Sequence, residues 1–214
     1  MVHVQPSRDE LKQLAPSGQL RVTINTGNDV LTRQQDDVVS GISVDITQLL
    51  GRQLGIPVET AVVTSAGETY QRVASGRTDL GFFGISSDRA MGTASSGASE
   101  GVSYTRPYIQ ILGSYAVTKT SAITRNSEVD QAGNTIVVGR DSVYSLWLKR
   151  HLDQARVIEA PTSPDVVPYM LANGYTIGAG IRNQLLSDAQ REPSIRVLDG
   201  HFMVINQAMA TGRG

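Results

Sequence analysis

Residues 78–89 read Thr-Asp-Leu-Gly-Phe-Phe-Gly-Ile-Ser-Ser-Asp-Arg, and the rest of the chain arranges itself around them. A short apolar run over 80–85 lies between Asp79 and two serines, the pattern of a strand covered on both faces. Strands of that kind belong to open α/β sheets, which hold small ligands at their carboxyl ends. Gly84, Ser86 and Arg89 are therefore expected where a ligand would meet backbone N–H groups, a hydroxyl and a guanidinium. Those groups suit a carboxylate. The competing expectation is a solvated arginine after a strand, because an exposed charge carries little energy by itself.

Before this stretch the chain alternates strands and helices. Ser7 and Glu10 form a capping-box pair that opens a short helix over 7–15, ended by Pro16-Ser17-Gly18. Residues 20–26 alternate apolar and polar side chains as a strand does, and a polar turn at 26–29 follows. Asn28 in that turn is either a ligand contact or an ordinary turn residue beside Gly27. Apolar residues at 42, 46, 49, 50 and 54 predict a helical stripe closed by Gly55, with Pro57 preventing continuation. A strand over 58–63 and a helix over 67–76, with Tyr70, Val73 and Ala74 inward, complete a strand-helix-strand-helix-strand order. That order predicts right-handed crossovers around a parallel sheet.

After it the scheme repeats. Residues 92–101 are all small or polar and read as a mobile surface loop. They spell Gly97-Ala-Ser-Glu-Gly, a nucleophile-elbow pattern without the strand and helix that motif requires. A turn at 103–108 leads into an extended run at 109–118. Strands at 135–138, 157–160, 176–181 and 195–198 then alternate with helices at 142–152, 164–171 and 183–190. Val143, Leu146, Trp147 and His151 are expected on one helix face, and Ser163 is expected to cap a helix with Pro164 at its first position. An extended run at 202–210 ends the chain. The two long runs thus bound the second round of elements, which places its entry and exit side by side and makes a hinge between two α/β lobes.

The second wall of the resulting cleft is expected at Gly139-Arg140-Asp141-Ser142, where a helix start would present backbone N–H groups and the positive end of its dipole. Ser142 serves equally as a plain N-cap. Arg140 and Arg182 are each either ligand-facing or solvated.

Composition narrows the function. The chain has 214 residues, a net charge of −1 and no basic block, so nucleic acid has no electrostatic footprint to bind. It contains no cysteine, which removes thiolate chemistry, and no apolar stretch near the roughly 20 residues of a membrane span. The three histidines, His3, His151 and His201, fall on a terminus, a helix and a strand edge, without the spacing of a catalytic triad or a metal site. No cofactor is implied. The first ten residues lack the basic and apolar regions of a signal peptide, so the chain is either cytosolic or shown without its leader.

The residues Leu20-Arg-Val, Gly41-x-Ser-Val-Asp45, Gly76-Arg-Thr-Asp79, the serine turn with Arg89, Thr105-x-Pro-Tyr108 and Val138-Gly139, in that order, resemble the family 3 extracellular solute-binding proteins. The resemblance runs from about residue 18 to the end. It implies a two-lobed type II periplasmic fold, each lobe a mostly parallel sheet flanked by helices, with two crossover strands: lobe 1 at 1–110, lobe 2 at 111–203, and 204–214 returning to lobe 1. It further implies a periplasmic monomer that captures an amino acid or related small carboxylate by hinge closure and delivers it to an ABC permease. By the same resemblance Arg89 binds the ligand carboxylate with Gly84 and Ser86 in the donor turn, and Asp141 and Ser142 complete the site. Two departures stand out. The acidic residue that holds the ligand ammonium in many relatives falls at 181–182, where the chain has Ile181 and Arg182, and the aromatic residue that covers the ligand falls at 29–31, where there is none. The family also continues into a final helix beyond the point where this sequence stops. An enzyme of the cyclohexadienyl dehydratase type on the same fold, or a ligand-sensing domain of a signalling system, are the alternatives. The first needs a cleft acid, and none is present at 181–182.

Overall fold

A computed structural model describes residues 6–94 and 100–213. Half of the loop expected at 92–101, residues 95–99 with the start of its elbow-like spelling, lies outside the described residues.

The elements, in order, are α1 (Arg8–Leu14), β1 (Leu20–Asn25), β2 (Arg33–Gln35), β3 (Val38–Ser40), α2 (Ile42–Leu54), β4 (Val58–Val63), α3 (Ala66–Ala74), β5 (Leu80–Gly84), α4 (Ser87–Met91), β6 (Val102–Tyr104), β7 (Ile109–Thr118), β8 (Thr135–Gly139), α5 (Val143–His151), β9 (Arg156–Ala160), α6 (Val166–Ala172), β10 (Ile177–Ile181), α7 (Arg182–Arg191), β11 (Ile195–Val197) and β12 (Met203–Gly212). Ten of the strands form one sheet in the order β4-β1-β5-β12-β7-β10-β8-β9, with β6 beside β12 and β11 beside β7.

This order has internal symmetry. At one end β4, β1 and β5 run parallel, and β12 lies antiparallel beside them; at the other β9, β8 and β10 run parallel, and β7 lies antiparallel. The halves meet where β12 pairs antiparallel with β7, Met203 opposite Gly113 through Gln207 opposite Ile109. The two long extended runs are thus neighbours. The central strands β5 (Leu-Gly-Phe-Phe-Gly) and β10 (Ile-Gly-Ala-Gly-Ile) are buried at every position, because helices cover both faces.

Four sequence expectations change. In α2 the buried residues are Ser43, Thr47 and Gly51, while Ile42 and Leu49 are 39% and 46% exposed. Small residues occupy the line of closest approach to the sheet: a Cβ on Gly51 would lie 2.4 Å from Val58 Cγ2, and the Thr47 hydroxyl donates to the Ser43 carbonyl at 2.7 Å, while Ile46, Leu50 and Leu54 pack partly buried against the core. Residues 102–104 form a strand against β12 instead of a turn. On α5, His151 is exposed and stacks on Trp147, with the rings 4.0 Å apart, while Tyr144 and Leu148 join the buried face. The helix expected at 164–171 begins at Val166, with Asp165 at the cap position making no capping hydrogen bond; its Oδ2 instead accepts from Thr162 Oγ1 at 2.6 Å. Ser163 does not cap, because its hydroxyl is engaged by Tyr144.

Candidate functional site

The carboxyl ends of β1, β5, β8, β9 and β10 converge on one cavity of about 40 Å³. It is lined by Asn25 and Asn28 after β1, Gly84 and Arg89 after β5, Ser142 and Tyr144 after β8, Ser163 after β9 and Ile181 at the end of β10. Such a volume holds roughly three waters, at about 10–15 Å³ each. Both halves of the sheet contribute walls, which is the arrangement that two parallel sheets facing across a gap impose.

Arg89 lies on α4, a one-turn helix that the serines after β5 begin. It is 1% exposed. Its Nη1 donates to the Gly84 carbonyl at 3.3 Å and its Nη2 to the Asp141 carbonyl at 2.5 Å, so one side chain ties the first half to the second. The guanidinium carbon sits 5.2 Å from the Phe83 ring centre and 5.9 Å from that of Tyr70, a cation resting on aromatic faces. Burial pushes its pKa down, and the neighbouring Tyr104, Asp141 and Tyr70 oppose that. None of the ion pairs among the described residues includes Arg89. A buried cation outside every ion pair of the described residues favours an anion beside it.

The facing wall is held by its own network. Gly139 ends β8 where a Cβ would lie 2.6–2.8 Å from Ser163 atoms, so only glycine admits this close approach. Asp141 adopts a positive φ of 51°. Its N–H donates to Glu159 Oε1 at 3.3 Å, and that carboxylate also accepts from Ser145 Oγ at 2.6 Å and Lys149 Nζ at 2.8 Å. Burial raises the Glu159 pKa, but Lys149 and Ser145 outweigh it and the net direction is down. The Asp141 side chain packs on Gly67 of α3, where a Cβ would lie 2.6 Å from Asp141 Cβ and 3.0 Å from Oδ2. Ser142 caps α5, its Oγ accepting from the Ser145 N–H at 3.0 Å. The Tyr144 hydroxyl and Ser163 Oγ are 2.6 Å apart, and burial pushes the Tyr144 pKa up.

Of the residues singled out from sequence, Gly84, Arg89, Asn28 and Ser142 line the cavity. Asp141 is not in the lining, although its carbonyl accepts from Arg89, which is. Ser86 is buried as the N-cap of α4, its Oγ without a partner, and is not part of the lining. Arg140 and Arg182, candidates from sequence, are elsewhere. Arg140 is exposed, and Arg182 donates to the Leu198 and Gly200 carbonyls at 2.9 and 2.7 Å, bracing the end of α7 against the β11–β12 turn. The missed liners include Tyr144, Ser163, Ser43 and Gln207. Tyr144 lies two residues beyond a serine that the sequence does flag, and Ser43 is the serine of the Gly41-x-Ser-Val-Asp45 motif, but nothing local marks Gln207. Among the described residues no group of three His, Asp or Glu could hold a metal ion, and no helix is long and apolar enough to cross a membrane.

No protein-family model matches the sequence, and no curated protein does. Solved structures do share its architecture. Holo ArgBP from T. maritima superposes with a TM-score of 0.76 at 16% identity, over 97% of this chain and 87% of that one. The solute receptor for L-cysteine of Neisseria gonorrhoeae gives 0.75 at 19% identity, over 93% and 79%. An ancestral amino acid-binding protein, a precursor of cyclohexadienyl dehydratase, gives 0.74 at 16% identity, over 95% and 86%. The architecture is therefore the two-lobed type II periplasmic binding protein fold, a curled and mostly parallel sheet flanked by helices. At these identities the likeness defines the fold.

Proposed function

We propose that the chain is the solute-binding component of an ABC importer of the amino-acid type, related to the family 3 solute-binding proteins. It captures a small carboxylate-bearing solute between lobe 1 (1–110) and lobe 2 (111–203), with 204–214 returning to lobe 1. The observation that carries this reading is Arg89, a buried guanidinium lining a cavity between the sheet halves, with no carboxylate partner among the ion pairs of the described residues. A ligand carboxylate entering there would replace the Asp141 carbonyl as acceptor and form the stronger, charge-assisted pair. Entry into so tight a cavity requires the halves to part, and the paired strands β7 and β12 are the connection about which they would turn. The protein acts in the periplasm as a monomer and hands its cargo to a membrane permease. Capture is favoured over turnover because no carboxylate among the described residues lines the cavity to protonate a leaving group.

Thermal unfolding against a panel of small carboxylates tests the reading. A true ligand at one hundred times its Kd adds about 2.7 kcal/mol of stability, and the gain should vanish in Arg89→Met. A panel without any stabilising carboxylate, or a stabilisation untouched in Arg89→Met, would reject it.

A further inference from the structure

The proposed carboxylate site leaves open what else the ligand carries, and the cavity itself restricts the answer. Among the described residues Arg89 is the single charged side chain in the lining, and every other polar group there is neutral: asparagines, serines, a tyrosine and a glutamine. Three acids adjoin lining residues along the chain, and none is itself in the lining: Asp29 lies in a separate surface cleft with Thr32 and Arg33, Asp88 pairs with Arg150, and the Asp141 side chain packs on Gly67 at the start of α3. An ammonium group placed in this cavity would be a second buried cation beside Arg89 with only dipoles to receive it, which desolvation and like-charge repulsion both oppose.

Asn28 adds an independent observation. It is 7% exposed and lines the cavity, yet its Oδ1 is cut off from solvent and has no hydrogen-bond partner. The neighbouring Asn25 shows what satisfaction looks like, its Oδ1 accepting from the Gly27 N–H at 2.9 Å. A buried acceptor left unpaired costs about 1–3 kcal/mol, so the position asks for a donor from outside the protein. A neutral hydroxyl meets that need without bringing a charge.

We infer that the ligand is a compact 2-hydroxy monocarboxylate, its carboxylate on Arg89 and its hydroxyl donating to Asn28 Oδ1, rather than the amino acid of the same skeleton. The small cavity favours an acid of two or three carbons. This inference rests on the reading of Arg89 as the carboxylate site, and deepens it by naming the group beside the carboxylate.

Titration calorimetry of the full chain with three matched probes, L-lactate, propionate and L-alanine, tests it. L-lactate should bind at least tenfold more tightly than either of the others. In Asn28→Ala the advantage of lactate over propionate should shrink to within about twofold, while in Asn28→Asp alanine should gain at least tenfold relative to lactate. The wild-type comparison stands alone if either variant fails to fold. Alanine binding as tightly as lactate, propionate matching lactate, or no binding of any of the three overturns the inference. The two readings fail separately: alanine binding that Arg89→Met abolishes leaves the carboxylate site standing and removes only the hydroxyl, whereas binding indifferent to Arg89→Met removes both.

Discussion

Gly84 and Val143 meet across the gap between the sheet halves so closely that a Cβ on Gly84 would lie 2.7 Å from Val143 Cγ1. Gly84 ends β5, and Val143 is the first residue of α5, so the contact joins the turn that carries Arg89 to the helix that faces it. Alongside it, Arg150 Nη1 pairs with Asp88 Oδ1 at 3.0 Å and Arg89 donates to the Asp141 carbonyl. Arg150 Nη1 also donates to Ser87 Oγ at 3.2 Å, so the halves are held together at this place by a steric fit and several polar links.

Gly84→Ala tests the steric fit. The added methyl also comes within 3.1 Å of Ile205 Cγ2, and the β-branched Val143 has few rotamers with which to yield. The expected result is a loss of about 1–3 kcal/mol in urea unfolding, as for other overpacked sites, together with a larger radius of gyration by small-angle X-ray scattering. An unchanged radius with unchanged stability would mean that the halves do not abut at Gly84 in solution.

The pair Arg21 and Asp79 anchors β1 to the turn before β5. Asp79 Oδ2 accepts from the Arg21 N–H at 2.8 Å and from its Nε at 3.1 Å, Oδ1 accepts from Nη2 at 2.5 Å, and the Asp79 side chain is only 5% exposed. Asp79 holds the Arg21 pKa above its ordinary value. Asp79→Ala is expected to cost about 2–4 kcal/mol in equilibrium unfolding, because it strands a partly buried guanidinium and an amide at once. Arg21→Lys should cost less, since an ammonium still pairs with the carboxylate but loses the fork geometry. Equal losses in the two variants would remove the bidentate pair from the account of stability.

Acid should weaken the segment between β7 and β8. Hydrogen bonds from the Thr124 N–H, the Arg125 guanidinium and the Arg125 N–H hold Glu128 down to about 2. The N–H groups of Asp153, Ala155 and Gln154, at 2.8–2.9 Å, depress Asp130. Both folded values lie below the unfolded ones. Their contribution is therefore complete above about pH 5, past the unfolded carboxylate values near 4, and fades as pH falls through the folded values. The stability difference between the native chain and the double variant Glu128→Gln with Asp130→Asn should be constant from pH 8 to 5 and shrink steadily toward pH 2. A difference that stays flat down to pH 2 contradicts the assignment.

Much of the fold is legible in the chain because strands buried on both faces and glycine-stopped helices leave local signatures. The apolar block at 80–85, the Ser7 and Glu10 capping box, the left-handed Gly55 and the inward Tyr70 and Val73 all follow from neighbours a few residues away. The short β2–β3 hairpin and α4 escaped notice because neither has an apolar period; their residues are mostly polar and their conformation follows from what they cap. The polar face of α2 was hidden for the opposite reason. Part of its apolar stripe, Ile46, Leu50 and Leu54, packs against the core, but Gly51 lets the backbone approach β4 and the fully buried line is Ser43, Thr47 and Gly51, with Ile42 and Leu49 exposed.

Local order along the chain specified that two rounds of strand and helix would exist, and which serine-rich turn would carry the arginine, since backbone propensity and burial period act over a few residues. The choice of which polar groups share one small space came from long-range packing. Asn28, Arg89, Tyr144 and Ser163 are separated by up to 135 positions, and they converge only because five strand ends point into the same gap. Arg182 ended on the carbonyls of Leu198 and Gly200 for the same physical reason: a guanidinium takes the nearest unpaired acceptors that folding brings within reach, and no reading of its own neighbours in the sequence reveals where those are.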